Sequence, residues 1–205
     1  MGGLFIVLEG GEGAGKTTLV NRLSLYYQLK GYNVVVTREP GGCPEAEQIR
    51  NIIMNSSDLS AYAEIALFAA ARKIHCDKVI EPALKDSNTI VICDRYIYSN
   101  YIYQGKLNDV LNDTDDFSKK VTEVNEALNI RMPDLKFFID VKPKTGLARI
   151  SNSNRKTNRF DDFNLKKHEI IYGCFKSMQN LTSIDGERDA DIIARDLITI
   201  IDSRL

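Results

Sequence analysis

The chain has 205 residues, 43% hydrophobic and 27% charged, which suits one compact domain with a substantial core and excludes a disordered chain. Its formal net charge of −1, with both signs intermixed, argues against a protein that lives on duplex nucleic acid, which would carry a basic excess. No internal repeat or low-complexity linker interrupts it, so a single domain over residues 1–205 is expected.

Taken in order, Leu4–Glu9 is a short apolar run that reads as a strand. It is too short to span a membrane and lacks the basic flank of a signal peptide, so no membrane association is expected. Lys16–Lys30 follows as a helix closed by Gly31, then a strand at Asn33–Thr37 and helices at Glu45–Met54 and Tyr62–Leu84. A strand at Thr89–Cys93 comes next, then Lys106–Lys119, which is rich in Asn and Asp and reads as a surface excursion. Asp116–Leu128 predicts a helix and Leu135–Asp140 a strand. The polar stretch Ser151–Phe163, carrying Arg155, Lys156 and Arg159, reads as a flap, giving a lid of about 149–162. Helices at Leu165–Gln179 and Asp189–Ile201 flank a weak strand at Thr182–Asp185. Strands alternating with helices, and apolar on both faces, specify an α/β fold with a five-stranded parallel sheet covered by helices on both sides. Cys43, Cys76, Cys93 and Cys174 show no CxxC or CxxH spacing, so free thiols in a reducing cytoplasm are expected rather than zinc or disulfides.

Two segments carry chemistry. Gly10-Gly11-Glu12-Gly13-Ala14-Gly15-Lys16-Thr17 fits G-x-x-x-x-G-K-[ST] between a predicted strand and a predicted helix, and Thr18 continues it. Its glycines let successive N–H groups point at phosphate oxygens, at the positive end of the helix. Lys16 is expected to reach the terminal phosphates of ATP, and Thr17 to offer its hydroxyl to Mg²⁺. The strand Thr89–Cys93 ends on Asp94-Arg95-Tyr96, and ligands of a parallel sheet gather at carboxyl strand ends. Asp94 therefore reads as a second metal-directed oxygen and Arg95 as a bridge between donor and acceptor phosphates.

Neither N-K-x-D nor D-x-x-G occurs, which disfavours a guanine-nucleotide switch. Phosphoryl transfer is mainly positioning and charge stabilisation with water kept out, so a flap bearing Arg149, Arg155, Lys156 and Arg159 suits a small kinase. A kinase for another nucleotide or a deoxynucleoside, and a slowly hydrolysing nucleotide switch, stay open on the motifs alone.

Longer strings narrow the choice. Thr37-Arg38-Glu39-Pro40-Gly41-Gly42, Leu67-Phe68-Ala69-Ala70-x-Arg72, Asp94-Arg95-Tyr96 with Ser99 and Tyr103-Gln104-Gly105, Met132-Pro133-Asp134-Leu135 and Asn158-Arg159-Phe160-Asp161 stand in one order. With the phosphate loop, they resemble the bacterial thymidylate kinases over residues 4 to about 162. The resemblance implies a P-loop NTPase fold and transfer from ATP to dTMP, with Mg²⁺, in dTTP synthesis. It also implies a homodimer pairing through the helices around 45–85 and 97–105. Phe68 would stack on thymine, Arg72 would donate to its O4, and Asn100 and Gln104 would approach its N3/O2 edge. Arg38, Arg50 and Arg95 would clamp the acceptor phosphate beside Glu39, and Tyr103 would disfavour a 2′-hydroxyl. Glu12 would lie close to the acceptor sugar or the metal. Ala14 stands where some members carry an arginine, so the resemblance assigns the catalytic cation to the lid, among Arg149, Arg155 and Arg159. His75 and His168 belong to no matched string and read as structural or surface residues.

Overall fold

A computed structural model describes residues 2–56, 58–153 and 158–205. Five parallel strands, β1 (Leu4–Glu9), β2 (Asn33–Arg38), β3 (Thr89–Asp94), β4 (Leu135–Asp140) and β5 (Thr182–Asp185), form one sheet in the order β2-β3-β1-β4-β5. The helices are α1 (Lys16–Leu29), α2 (Pro44–Asn55), α3 (Ala61–His75), α4 (Glu81–Ala83), α5 (Ile97–Asn100), α6 (Leu107–Asn112), α7 (Asp116–Ala127), α8 (Pro143–Ser151), α9 (Leu165–Ser177) and α10 (Ala190–Asp202). π-helical segments join α3 to α4 at Cys76–Ile80 and α5 to α6 at Tyr101–Lys106.

The strand sequences explain the layering. Alternate residues of β1 face opposite sides: Ile6 and Leu8 pack with Leu19 and Leu23 of α1 and Leu197 and Ile201 of α10. Phe5 and Val7 pack on the other side with Ile80, Leu84 and Tyr96. These four β1 side chains are all 0% exposed, and burying each contributes ~1.5–3 kcal/mol at most. β1 is thus central, paired to β3 and β4, and its end delivers the phosphate loop to the middle of the sheet's carboxyl edge. β2 and β3 each run one residue beyond the predicted limit, because their ladder continues to Arg38↔Asp94. That last pair brings two predicted site residues side by side at the carboxyl edge. Gly31 ends α1 as expected, at φ 90°, with its N–H on the Gln28 carbonyl and that of Tyr32 on Tyr27.

Three expectations need correction. The single helix over Tyr62–Leu84 is α3, a π segment and α4: Pro82 has no N–H for the carbonyl four residues back, and the chain widens just before it. The Lys106–Lys119 segment is not a mere surface excursion, because it contains α6 and the start of α7, with Leu107 and Asp109 buried. The Asp109 carboxylate accepts from the N–H groups of Phe117 and Ser118, satisfying two donors of the first turn of α7. Residues 149–151, assigned to the lid, lie in the last turn of α8, a helix that periodicity missed. Among the described residues, no helix is long and apolar enough to cross a membrane. The four cysteines are free, and Cys43, Cys76 and Cys93 are buried.

Candidate active site

The loop from β1 into α1 is shaped by Gly13, at φ 71°, where an added Cβ would lie 2.0 Å from the carbonyl oxygen of Gly146 in α8. Only glycine permits that approach, and it seats the loop against α8. Lys16 is buried, its ammonium donating to the carbonyls of Gly10 at 3.0 Å and Gly11 at 2.9 Å. Burial, then the charge of Arg95, pushes its pKa down to about 8. Thr17 Oγ1 donates to Asp94 Oδ2 at 2.8 Å. A cavity of about 420 Å³ runs along Glu12, Gly13, Ala14, Gly15, Lys16, Thr17 and Thr18, with Asp94, Arg95 and Arg149 in its wall.

A second cavity, of about 280 Å³, lies between the sheet edge and α2, α3, α5 and the second π segment. Arg38, Glu39, Arg50, Phe68, Arg72, Arg95, Asn100, Tyr103 and Gln104, which the sequence scatters over 67 positions, all line it. The two cavities share Glu12, Thr17, Asp94 and Arg95. Two cavities therefore meet at a guanidinium, two carboxylates and a hydroxyl, a geometry suited to moving a phosphoryl group from one to the other.

The family model described as thymidylate kinase matches residues 8–196. The chain belongs to the thymidylate kinase family. Members of that family are enzymes that phosphorylate dTMP to dTDP, a step of dTTP synthesis. It is 36% identical to the thymidylate kinase of Oceanobacillus iheyensis, covering all of this chain and 92% of that one. It is 37% identical to that of Bacillus velezensis, covering all of this chain and 98% of that one. Among solved structures, thymidylate kinase from Ehrlichia chaffeensis matches at a TM-score of 0.74 and 27% identity, over 98% of this chain and 99% of that one.

The arginines that line the second cavity are held in different ways. Arg95, at φ 69°, donates to the Gly10 carbonyl and Ser99 Oγ from Nη1 and to Glu12 Oε1 from Nη2, at 2.7 Å. Arg38 pairs with Glu47, and Arg50 donates to the Pro40 carbonyl. Burial first, then Arg38, pushes the pKa of Arg50 down. Arg72 is almost wholly buried and bonds Glu39 through Nε at 2.7 Å and Asn100 and Asn125 through Nη1. Its Nη2 makes no hydrogen bond among the described residues. Tyr103 hydroxyl donates to Glu12 Oε1 at 3.3 Å, and burial raises its pKa, so it stays protonated.

The lid cations separate. Arg149 lines the cavity along the loop and donates to the Gly186 carbonyl, whereas Arg159 pairs with Glu64 of α3 in the wall of a neighbouring cavity, outside both of those described above. Arg155, with Lys156, lies outside the described residues.

Glu9, Asn125 and Glu64 escaped the sequence reading as supporting residues, and His75 is structural, one of the two readings it was given. Glu9 is fully buried and accepts from Tyr96 N, Ser99 N and Ser99 Oγ, fixing the turn that presents Arg95. Its desolvation raises its pKa to about 6. His75, read as structural or surface, is buried between Thr37 Oγ1 and Glu39 Oε1. Asn125 of α7 holds Arg72, and Glu64 holds both Arg159 and Gln104. The signal for Glu9 was its place at the end of an apolar strand; the others gave none, since their partners are remote in sequence.

Proposed function

We propose that this kinase takes its phosphoryl group from ATP, with Mg²⁺, and that the predicted site residues act as follows. The observation that carries the reading is the junction of the two cavities at Glu12, Thr17, Asp94 and Arg95. The donor phosphates lie along the loop from Gly10 to Thr18, cradled by backbone N–H groups, with Lys16 moving from the loop carbonyls onto the terminal phosphates. An oxygen of the dTMP phosphate attacks the γ-phosphorus, the bond to the β,γ-bridging oxygen breaks, and its electron pair leaves with ADP. Arg95 bridges the two phosphates, oriented by Glu12, and Arg38 and Arg50 hold the acceptor phosphate. Arg149, together with Arg155, supplies lid-side charge. Phe68 stacks on thymine, for about 1–3 kcal/mol, and Arg72 Nη2 donates to O4. Cytosine would oppose that donor with an amino group. Asn100 and Gln104 meet the N3/O2 edge, with Glu39 holding Arg72 and Tyr103 crowding the 2′ position.

The metal's fit rests on the donor set: Thr17 hydroxyl and Asp94 carboxylate are hard oxygens 2.8 Å apart at the junction. Among the described residues no cluster of three or more His, Cys, Asp or Glu could hold a metal, which suits an ion that takes its remaining ligands from phosphate and water. Mg²⁺ there would neutralise charge on the donor phosphates.

The working unit is a single-domain subunit of a cytoplasmic homodimer paired through the helices around 45–85 and 97–105. Half-exposed Ile52 of α2 and Tyr62 of α3 support that face, and free buried thiols support a reducing compartment. A turnover assay of ATP and Mg²⁺ with dTMP, dUMP, dCMP, AMP and free nucleosides tests the reading. ADP release should depend on dTMP; release indifferent to acceptor overturns it, and light scattering reads the dimer.

A further inference from the structure

Glu64 lies in the first turn of α3, outside the acceptor cavity and in the wall of a neighbouring one. Its carboxylate is shared: Oε1 accepts from Arg159 Nη2 at 2.5 Å and Oε2 from Gln104 Nε2 at 3.2 Å. From Gln104 the bonds run inward. Asn100 Nδ2 donates to Gln104 Oε1 at 3.3 Å, and Arg72 Nη1 donates to Asn100 Oδ1 at 3.1 Å. One end of this chain is a carboxylate, which accepts only; the other is a guanidinium, which donates only. Both amides between them are thereby held in one sense, because reversing either would set two donors or two acceptors against each other. Asn125 cannot relax the guanidinium end, since its own Nδ2 is held by the Val121 carbonyl.

We propose that Glu64 is a specificity-determining positioning residue: by taking the Gln104 amide nitrogen, it leaves the amide oxygen toward the cavity to accept the N3–H of a thymine. Cytosine has an unprotonated N3, so the same oxygen opposes it with a second acceptor. Selection then acts at two atoms of the ring, O4 through Arg72 and N3 through Gln104. Arg159 fixes the carboxylate that sets the second, which links the lid to reading of the base. This rests on the proposed seating of the pyrimidine beside Gln104.

The experiment compares kcat and KM for dTMP and dCMP, and KM for ATP, in Glu64→Gln, Gln104→Ala and the double variant Glu64→Gln/Gln104→Glu, with melting temperatures alongside. Glutamine at 64 can donate as well as accept, which leaves the sense held from the Arg72 end alone, so KM for dTMP should rise, and the dTMP-to-dCMP ratio of kcat/KM fall, each by about threefold, with KM for ATP unmoved. The double variant again presents an acceptor-only group at 104 and should recover most of the ratio. A purely structural role would lower the melting temperature and turn both acceptors over less, leaving the ratio intact, and would overturn the proposal. An unchanged ratio in Glu64→Gln beside a reduced one in Gln104→Ala removes Glu64 alone and leaves the pyrimidine seating standing. An unchanged ratio in Gln104→Ala removes the seating itself, and the proposal with it.

Discussion

Thr17 Oγ1 donates a hydrogen bond of 2.8 Å to Asp94 Oδ2, tying the first turn of α1 to the end of β3. The two residues stand 77 positions apart in the chain, yet both line the two adjoining cavities. Replacing Asp94 by Asn keeps the shape and removes the charge. The Mg²⁺ concentration for half-maximal turnover should rise at least about tenfold, since even outer-shell changes at metal sites cost 10–100-fold. A magnesium titration identical to that of the parent enzyme would remove Asp94 from the metal site.

Lys16 is expected to give the pH profile its basic limb. Its pKa is pushed down to about 8 by burial, and only the protonated ammonium attracts phosphate. The kcat/KM for ATP reports the free enzyme, so it should fall about tenfold per pH unit above roughly pH 8. Lys16→Ala should lose most of kcat while keeping its circular dichroism spectrum. A flat profile to pH 9.5 would contradict the assignment.

Arg72 and Glu39 form a buried pair, with side chains 1% and 3% exposed. Arg72→Ala leaves His75 as the one side chain among the described residues bonded to the Glu39 carboxylate, and should destabilise the fold by about 3–5 kcal/mol in urea unfolding. The surviving folded enzyme should show KM for dTMP raised at least about tenfold, with a smaller change for ATP. An effect confined to ATP would mean that Arg72 does not serve the acceptor.

Glu9 gives stability a distinct pH dependence. Its pKa rises from 4.5 in the unfolded chain to about 6 in the fold, so the fold binds its proton more tightly. The stabilisation from the neutral carboxyl is complete below pH 4.5 and is lost as pH rises through about 6. Glu9→Gln, which cannot ionise, should therefore gain on the parent enzyme across that window, by about 2 kcal/mol. Unfolding midpoints at pH 4.5 and 7.5 read this; a constant difference between them would refute it.

Much of this architecture is visible in one dimension because its determinants are local. The central strands β1, β3 and β4 lie where apolar runs place them, since a parallel strand buried on both faces needs a continuous apolar stretch, whereas the edge strand β5, with only Ile184 buried, gives a weak signal. The phosphate loop is legible for a similar reason: its glycines, Lys16 and Thr17 are neighbours. The helices Leu107–Asn112 and Pro143–Ser151 are not legible as helices, and the one around 97–105 follows only from the resemblance, because each is short or interrupted and carries a weak period. The π turn over Tyr101–Lys106 departs from 3.6 residues per turn altogether.

The residue strings were enough to specify a fold and a family, because backbone curvature, strand burial and motif spacing act between near neighbours. They could not say that Glu9 fixes the turn carrying Arg95, that Asn125 holds Arg72, or that Glu64 takes both Arg159 and Gln104. Each of those contacts joins groups 40 or more positions apart, and a hydrogen bond depends on separations near 3 Å and on direction. Only the packed chain sets those distances, and with them the protonation of Glu9 and Lys16 and the sense of each buried amide.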